Sequence, residues 1–438
     1  MAILKEAKVS SSGKLSNWPA WEEFTYHDDA SGKDTGFSKV KREIIAEFGA
    51  DALREAWLKT CAELEKITDE IARKGTGIIP VFDFADVMHD DAGHTFESEI
   101  KRTGCCIIRG VIDESEATQM YHDLKEFVHS NKDHITGWPA EAPYVLNLCN
   151  TPVQVNARVH PNQLAIQHRL NQIWHDVTKE TSPSPLLYAD AVRIRPPGKE
   201  LLGLGPHIDA GNFCRWEDGK YRLTYSAIFS GHPEDHDCYD LTTRKDANQT
   251  GHSTVLRAFQ GWTAFTRAGP REGSLLIVPN VQWTISYVLL RPFFSPPETD
   301  VLDAHKWTFN PDGDWFPGTS RQGSQKLSPN SHPHLRLKES LVNIPVVNPG
   351  DTVWWHADMC HAVEPEHSGS EDSCVVYIAA TPRTKINNAY MTHQLAAIQS
   401  GQLPIDFLTK GIDEFKLRGY TGLGDLSSKA RSAMGYDL

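Results

Sequence analysis

Apolar positions change period along this chain, and the changes divide it. From Phe37 to Arg73, the residues Val40, Ile44, Ile45, Phe48, Leu53, Ala56, Trp57 and Leu64 recur at three- to four-residue spacing among Lys, Arg and Glu. That spacing predicts one long amphipathic helix, ended by Gly75, Gly77 and Pro80. Residues 96–110, FESEIKRTGCCIIRG, predict a helix end, a glycine turn and a short buried strand. Helical period returns over 114–129, and residues 135–160 are loop-rich. Residues 161–180 predict another amphipathic helix carrying Leu164, Ile166, Leu170 and Trp174. Residues 1–35 are polar and predict an arm that wraps or lacks order.

Past residue 185 the period shortens. YADAVRIR, YRLTYSAIFSG, HSTVLRAFQGWTAFTRA, GSLLIVP, SLVNIPVV, DTVWWHAD and SCVVYIAATP are short β-like runs separated by glycine and proline turns. Many short strands of this kind predict a sandwich or barrel. The resulting division is an arm over 1–35, a helical and mixed region over 36–184, a β core over 185–385, and a C-terminal helix and tail over 386–438. The core carries insertions near 212–258 and 294–340, and 390–400 is helical again.

Composition narrows the classes. The chain has 438 residues, 39% hydrophobic and 23% charged, as a globular protein does. A net charge of −13 argues against nucleic acid or an anionic membrane surface as partner. It leaves room for a small anionic molecule in a locally basic pocket. No apolar run approaches the ~18 residues of a membrane span, and the N-terminus lacks the apolar stretch of a signal peptide. The eight cysteines include no C-x-x-C pair, which points to reduced thiols and a cytoplasmic address. No G-x-S-x-G elbow, phosphate-binding loop, dinucleotide fingerprint or H-E-x-x-H helix is present.

Candidate chemistry lies in GLGPHIDAGN, residues 203–212. His207 and Asp209 are two apart, so an extended backbone points both side chains to one face. A non-haem iron site needs two neutral imidazoles and one carboxylate, leaving three positions open. The distant histidine comes best from NPGDTVWWHADMCHAVEPEHSG, where Gly350-Asp351 turns, Asp351–Trp355 extends and His361 closes the segment. His356-Ala357-Asp358 offers a competing His-x-Asp, but all three ligands would then crowd one short segment. His207, Asp209 and His361 are therefore the candidate ligands, with His356 on the substrate side, behind the ligands, or simply a strand histidine.

These runs, with RIRPPGKELLGLGPHIDAGNFCRW, FQGWTAFTRAGPREGSLLIVP, YVLLRPFF, YIAATP and KARSAMGYDL, resemble the YbiU-like family, placed among Fe(II)/2-oxoglutarate-dependent dioxygenases. More distantly, EGSLLIVP and GDTVWWHADMCH are similar to the phytanoyl-CoA hydroxylase family. The resemblance implies an α+β fold with a double-stranded β-helix (jelly-roll, cupin-like) core flanked by N- and C-terminal helices. It implies Fe(II) on His207, Asp209 and His361, 2-oxoglutarate as co-substrate, dioxygen as oxidant, and hydroxylation of a small molecule. Trp262 would lie on the strand that flanks the co-substrate.

The family also sets a departure. Many relatives carry an arginine ten to twelve residues past the distal histidine, where this chain has Ser373. A buried carboxylate still needs a cation. Arg193 and Arg195, alternating with Val192 and Ile194, are the first candidates unless they are solvated edge residues, and Arg222 is the next. Arg215 and Trp216 line the substrate mouth or form a stacked surface pair. Two other readings stay open: a zinc-type hydrolase or isomerase on the same ligands, and a metal-free jelly-roll binding protein.

Overall fold

The computed structural model describes residues 13–15, 17–23, 36–89, 93–200, 204–247, 253–321, 323–407 and 412–438. Most of the arm expected over 1–35 lies outside these residues. Two sheets organise the rest. The larger has nine strands, ordered Val81–Asp83, Cys105–Arg109, Thr352–His356, Phe259–Ala264, Ser373–Arg383, Val192–Arg195, Val145–Leu146 and Gly137–Trp138, with Ser182–Leu186 also paired to Ser373–Arg383. The smaller has five, ordered Gln325–Lys326, His207–Ile208, His361–Val363, Leu275–Ile277 and Val342–Asn343. With the helices around them, the architecture is mixed α+β.

Between Val192 and Arg383 the chain steps back and forth between the sheets. Val192–Arg195, Phe259–Ala264, Thr352–His356 and Ser373–Arg383 belong to the large sheet. His207–Ile208, Leu275–Ile277 and His361–Val363 fall between them in sequence and belong to the small one. All but one of the apolar runs past residue 185 thus supply a strand, usually shortened to the residues that pair.

The long helix expected from Phe37 to Arg73 is two helices, Phe37–Phe48 and Ala50–Lys74. Gly49 separates them at φ 92°, a conformation that side chains with a Cβ rarely adopt. The apolar stripe survives the break. Leu53, Ala56, Trp57, Leu64 and Ile71 are buried, and Trp57 stacks on Phe294 with centroids 4.4 Å apart. Helix Gln282–Leu290 lies against Ala50–Lys74 in the same core, so the N-terminal helices brace the β region from outside.

One run was misread by period. YRLTYSAIFSG folds into the helices Gly219–Thr224 and Ser226–Phe229. Asp218 accepts from the Lys220 and Tyr221 backbone N–H groups and caps the first of them, a local signal that outweighs β-propensity in so short a run.

Candidate metal centre

Hydrogen-bond register between two strands of the small sheet assembles the centre. His207 and His361 lie directly opposite each other in antiparallel strands, with ring centroids 4.2 Å apart. Asp209, just past the first strand, turns its carboxylate between them. Oδ1 is 3.4 Å from His207 Nε2, and Oδ2 is 3.4 Å from His361 Nε2. One ligand atom from each residue fits within 4.8 Å of the others, and this is the one such cluster of three among the described residues.

Both rings are oriented by their own backbone. His207 Nδ1 lies 2.7 Å from the Gly205 carbonyl oxygen, and His361 Nδ1 lies 3.0 Å from the Met359 carbonyl oxygen. A carbonyl accepts only, so each Nδ1 carries the proton and each Nε2 lone pair faces the carboxylate. That is the tautomer a metal ligand needs. Asp209 is fixed in turn, since Gln260 Nε2 donates to Oδ2 at 2.8 Å and Ser324 Oγ donates to Oδ1 at 3.1 Å. The donor set, two imidazole nitrogens and one carboxylate, fits Fe(II) or another borderline divalent ion.

Electrostatics agree with this placement. Burial alone would raise the Asp209 carboxyl, but without a metal a proton on Nε2 of either imidazole charges the ring and donates to the carboxylate. That outweighs burial and holds the carboxyl well below the usual carboxylate range, and a bound cation would take the place of that proton. Burial works against protonation of His207, yet Asp209 raises it. His361 goes the other way, lowered by burial and by His207. The site concentrates negative charge where a cation would sit.

The large sheet supplies the opposite wall. Gln260 reaches across to Asp209, so its face of the strand looks onto the centre. Trp262, two residues on, shares that face. Cross-strand partners extend it: Trp355 opposite Gln260, Tyr377 opposite Trp262, and Arg193 opposite Val375. Trp355 also meets His361, with centroids 5.3 Å apart.

The expected co-substrate residues separate here. Arg193 is buried on the inner face and donates from Nη2 to Ser373 Oγ at 3.3 Å, while its Nε has no partner. Arg195 shares the face but is committed. It donates to the carbonyls of Lys199, Glu364 and Pro365, which ties it to the turn after its own strand and removes it from the centre. Arg222 sits on the short helix Gly219–Thr224 with its Nε 3.5 Å from Glu47, and so belongs to the packing of the N-terminal helix.

The three residues expected at the substrate mouth are all interior. Arg215 has no exposed side-chain surface and donates to Asp358 Oδ1 at 2.8 Å. Trp216 is fully buried and donates to the Leu289 carbonyl at 3.0 Å. His356 is buried, its Nε2 2.9 Å from the Cys238 carbonyl and its Nδ1 accepting the Asp358 N–H, with Trp174 stacked on its ring at 4.8 Å. An Arg-Trp pair after a metal motif reads as a polar rim, but the chain turns inward there to fill the core between the helices. Sequence reasoning did not single out Gln260 or Ser324, the two residues that hold Asp209. Gln260 was accessible through its two-residue spacing from Trp262, whereas Ser324 carries no local signal.

Fold and site define a mixed α+β protein with a His-Asp-His cluster between two sheets that could hold a metal ion. Residues 33–436 match the Gig2-like family, and the chain belongs to it. Over 388 residues it is 29% identical to the uncharacterised protein YbiU of Escherichia coli K12, covering 83% of this chain and 87% of that one. The crystal structure of GlcNAc Inducible Gene 2 from Candida albicans is 28% identical, with a TM-score of 0.82 over 92% of this chain and 89% of that one. A hypothetical protein of Escherichia coli is 26% identical, with a TM-score of 0.76 over 97% of this chain and all of that one. None of the helices described is long and apolar enough to cross a membrane.

Proposed function

We propose that this protein is an Fe(II)- and 2-oxoglutarate-dependent oxygenase that hydroxylates a small polar metabolite, with His207, Asp209 and His361 as the iron ligands. The observation that carries the reading is the pair of histidines whose Nδ1 protons go to their own backbone carbonyls while both Nε2 atoms face one carboxylate. The alternation of strands between the two sheets supports a double-stranded β-helix as the frame. Iron with 2-oxoglutarate and dioxygen would supply the oxidising equivalents.

The chain's own residues do the rest. Arg193 takes the role of the arginine missing at Ser373. It reaches the same place from the neighbouring strand, is hydrogen-bonded to the Ser373 hydroxyl, and keeps an unpartnered Nε for the distal carboxylate of 2-oxoglutarate. Trp262 and Tyr377, opposite each other on adjacent strands, form the wall beside it. Gln260 and Ser324 hold Asp209 so that the carboxylate does not swing.

The test is anaerobic reconstitution with Fe(II) and 2-oxoglutarate, watching for the weak visible charge-transfer band. Wild type should show the band and His361→Ala should lack it. Absence of the band in folded, iron-loaded wild type would overturn co-substrate chelation, and a zinc-dependent hydrolase would become the better reading.

A further inference from the structure

Arginines in this interior are almost all committed. Arg195 is held by backbone carbonyls, Arg158 by the Cys149 carbonyl and Asn150, Arg291 by the Ser331 and Phe294 carbonyls, and Arg215 and Arg244 by Asp358. Arg257 is different. Its side chain is 16% exposed, and the nearest carboxylate, Asp190, is 3.8 Å away, beyond a hydrogen bond. Asp190 directs Oδ1 to the Ala191 N–H at 2.7 Å instead, and burial pushes its carboxyl up, which weakens it as a counter-charge. Among the described residues no group hydrogen-bonds to the Arg257 guanidinium, which carries five N–H donors.

Its position gives that idle cation a use. Arg257 lines a narrow recess with Asp209, Gln260, Gly211, Ser253 and Val255, so the recess runs from the guanidinium to the carboxylate of the His-Asp-His cluster. The guanidinium lies over the Tyr188 ring, 5.5 Å from its centroid. Tyr188 cannot drift, because its hydroxyl donates to Asp406 at 2.6 Å and Tyr390 donates to the same oxygen at 2.8 Å. A cation supported from below, without a hydrogen-bonded partner and open to a small recess, is built to take a planar or tetrahedral oxyanion. Arg193 is not part of this recess, and 2-oxoglutarate, with one carboxylate at the metal and one on Arg193, has no further charge to offer.

We propose that Arg257 anchors an oxyanion of the primary substrate, carboxylate or phosphate, and so restricts this enzyme to small anionic metabolites. The proposal rests on the oxygenase reading above, and its test separates the two. The probes are propionate, 3-phenylpropionate and methyl phosphate, each carboxylate set against its primary amide. Phenylglyoxal modification of Arg257, located by peptide mass spectrometry, needs neither iron nor turnover. At least one anion should slow it by about fivefold or more while the amides do not, and which anion protects decides between carboxylate and phosphate.

With Fe(II) and 2-oxoglutarate bound, the protecting anion should shift the charge-transfer band. In Arg257→Gln its Kd should rise roughly 10- to 100-fold, while the Kd of 2-oxoglutarate moves by less than about threefold. Equal protection by the amides, or no protection by any anion, overturns the proposal. Loss of the band in Arg257→Gln overturns it as well, because Arg257 would then serve the co-substrate. Protection of Arg257 in a wild type that never shows the band sinks the oxygenase reading alone and leaves the oxyanion anchor standing.

Discussion

Asp358 binds Arg215 through a 2.8 Å hydrogen bond with neither side chain exposed, and so joins the chain just after Asp209 to the chain just before His361. Arg244 grips the same carboxylate with two nitrogens, at 2.6 and 2.7 Å. These two charge pairs hold the ligand-bearing segments in register from behind, and burial of the carboxylate is more than offset, so it stays ionised far below its usual range. Asp358→Asn leaves two buried guanidiniums without their counter-charge. The expected outcome is a loss of about 3–5 kcal/mol in denaturant unfolding, the cost of breaking a buried ion pair. In the folded fraction, Fe(II) or Co(II) affinity should fall roughly 10- to 100-fold, as it does when groups that orient metal ligands are removed. An unchanged Kd for Co(II), read from its visible spectrum, would show that the knot is structural only.

Arg193 and Ser373 come from adjacent strands and meet at 3.3 Å. If Arg193 replaces the arginine that relatives carry at the serine position, the two positions are interchangeable. Arg193→Gln should weaken 2-oxoglutarate roughly 10- to 100-fold in titrations of the charge-transfer band, the loss of one charge-assisted contact. The double variant Arg193→Ser with Ser373→Arg should recover part of that affinity. No recovery, with the single variant already silent, would assign the distal carboxylate to another cation.

The three clustered residues were legible as candidates because the signal around each of them is local. His207 and Asp209 are two apart on an extended segment, and His361 ends an apolar strand run, so period and turn signals sufficed. Arg193 was legible by alternation with Val192, but nothing local separated it from Arg195. Only the fold shows that Arg195 is consumed by the carbonyls at Lys199, Glu364 and Pro365. Arg215, Trp216 and His356 failed for the converse reason. Burial of a charged or polar residue depends on a partner far along the chain, here Asp358 for Arg215, Leu289 for Trp216 and Cys238 for His356. Arg257 drew no notice because its function, if it anchors substrate, comes from the partners it lacks.

Gln260 gives a sharper test of the site than its ligands do, because its loss leaves all three ligands in place. The amide donates to Asp209 at 2.8 Å from the opposite sheet. Gln260→Leu keeps the bulk and removes the donor, so global stability should change by no more than about 1 kcal/mol. Metal affinity should drop roughly tenfold or more as the carboxylate gains freedom. Chelator competition with Fe(II) or Co(II) reads the effect directly. A wild-type Kd would mean that Ser324 alone suffices to orient Asp209.

Acid should unfold this protein early, and buried histidines set the window. Burial lowers His356 to about 3, and His236 and His334 to about 4, from an ordinary value of 6.5. Each is therefore neutral in the folded state while its unfolded counterpart takes up a proton as pH falls below 6.5. The unfolded state binds more protons in that range, so stability is complete above about pH 6.5 and falls as pH drops toward 4. Each fully coupled group contributes a slope of about 1.4 kcal/mol per pH unit. Urea unfolding at pH 7.5 and at pH 5 should show the difference, and proton uptake on unfolding near pH 5 should approach one for each of these three histidines. In His356→Gln the dependence should be shallower by one proton. A slope that stays the same in that variant would mean His356 gains its proton without unfolding, which the Cys238 carbonyl and Asp358 N–H on its two nitrogens argue against.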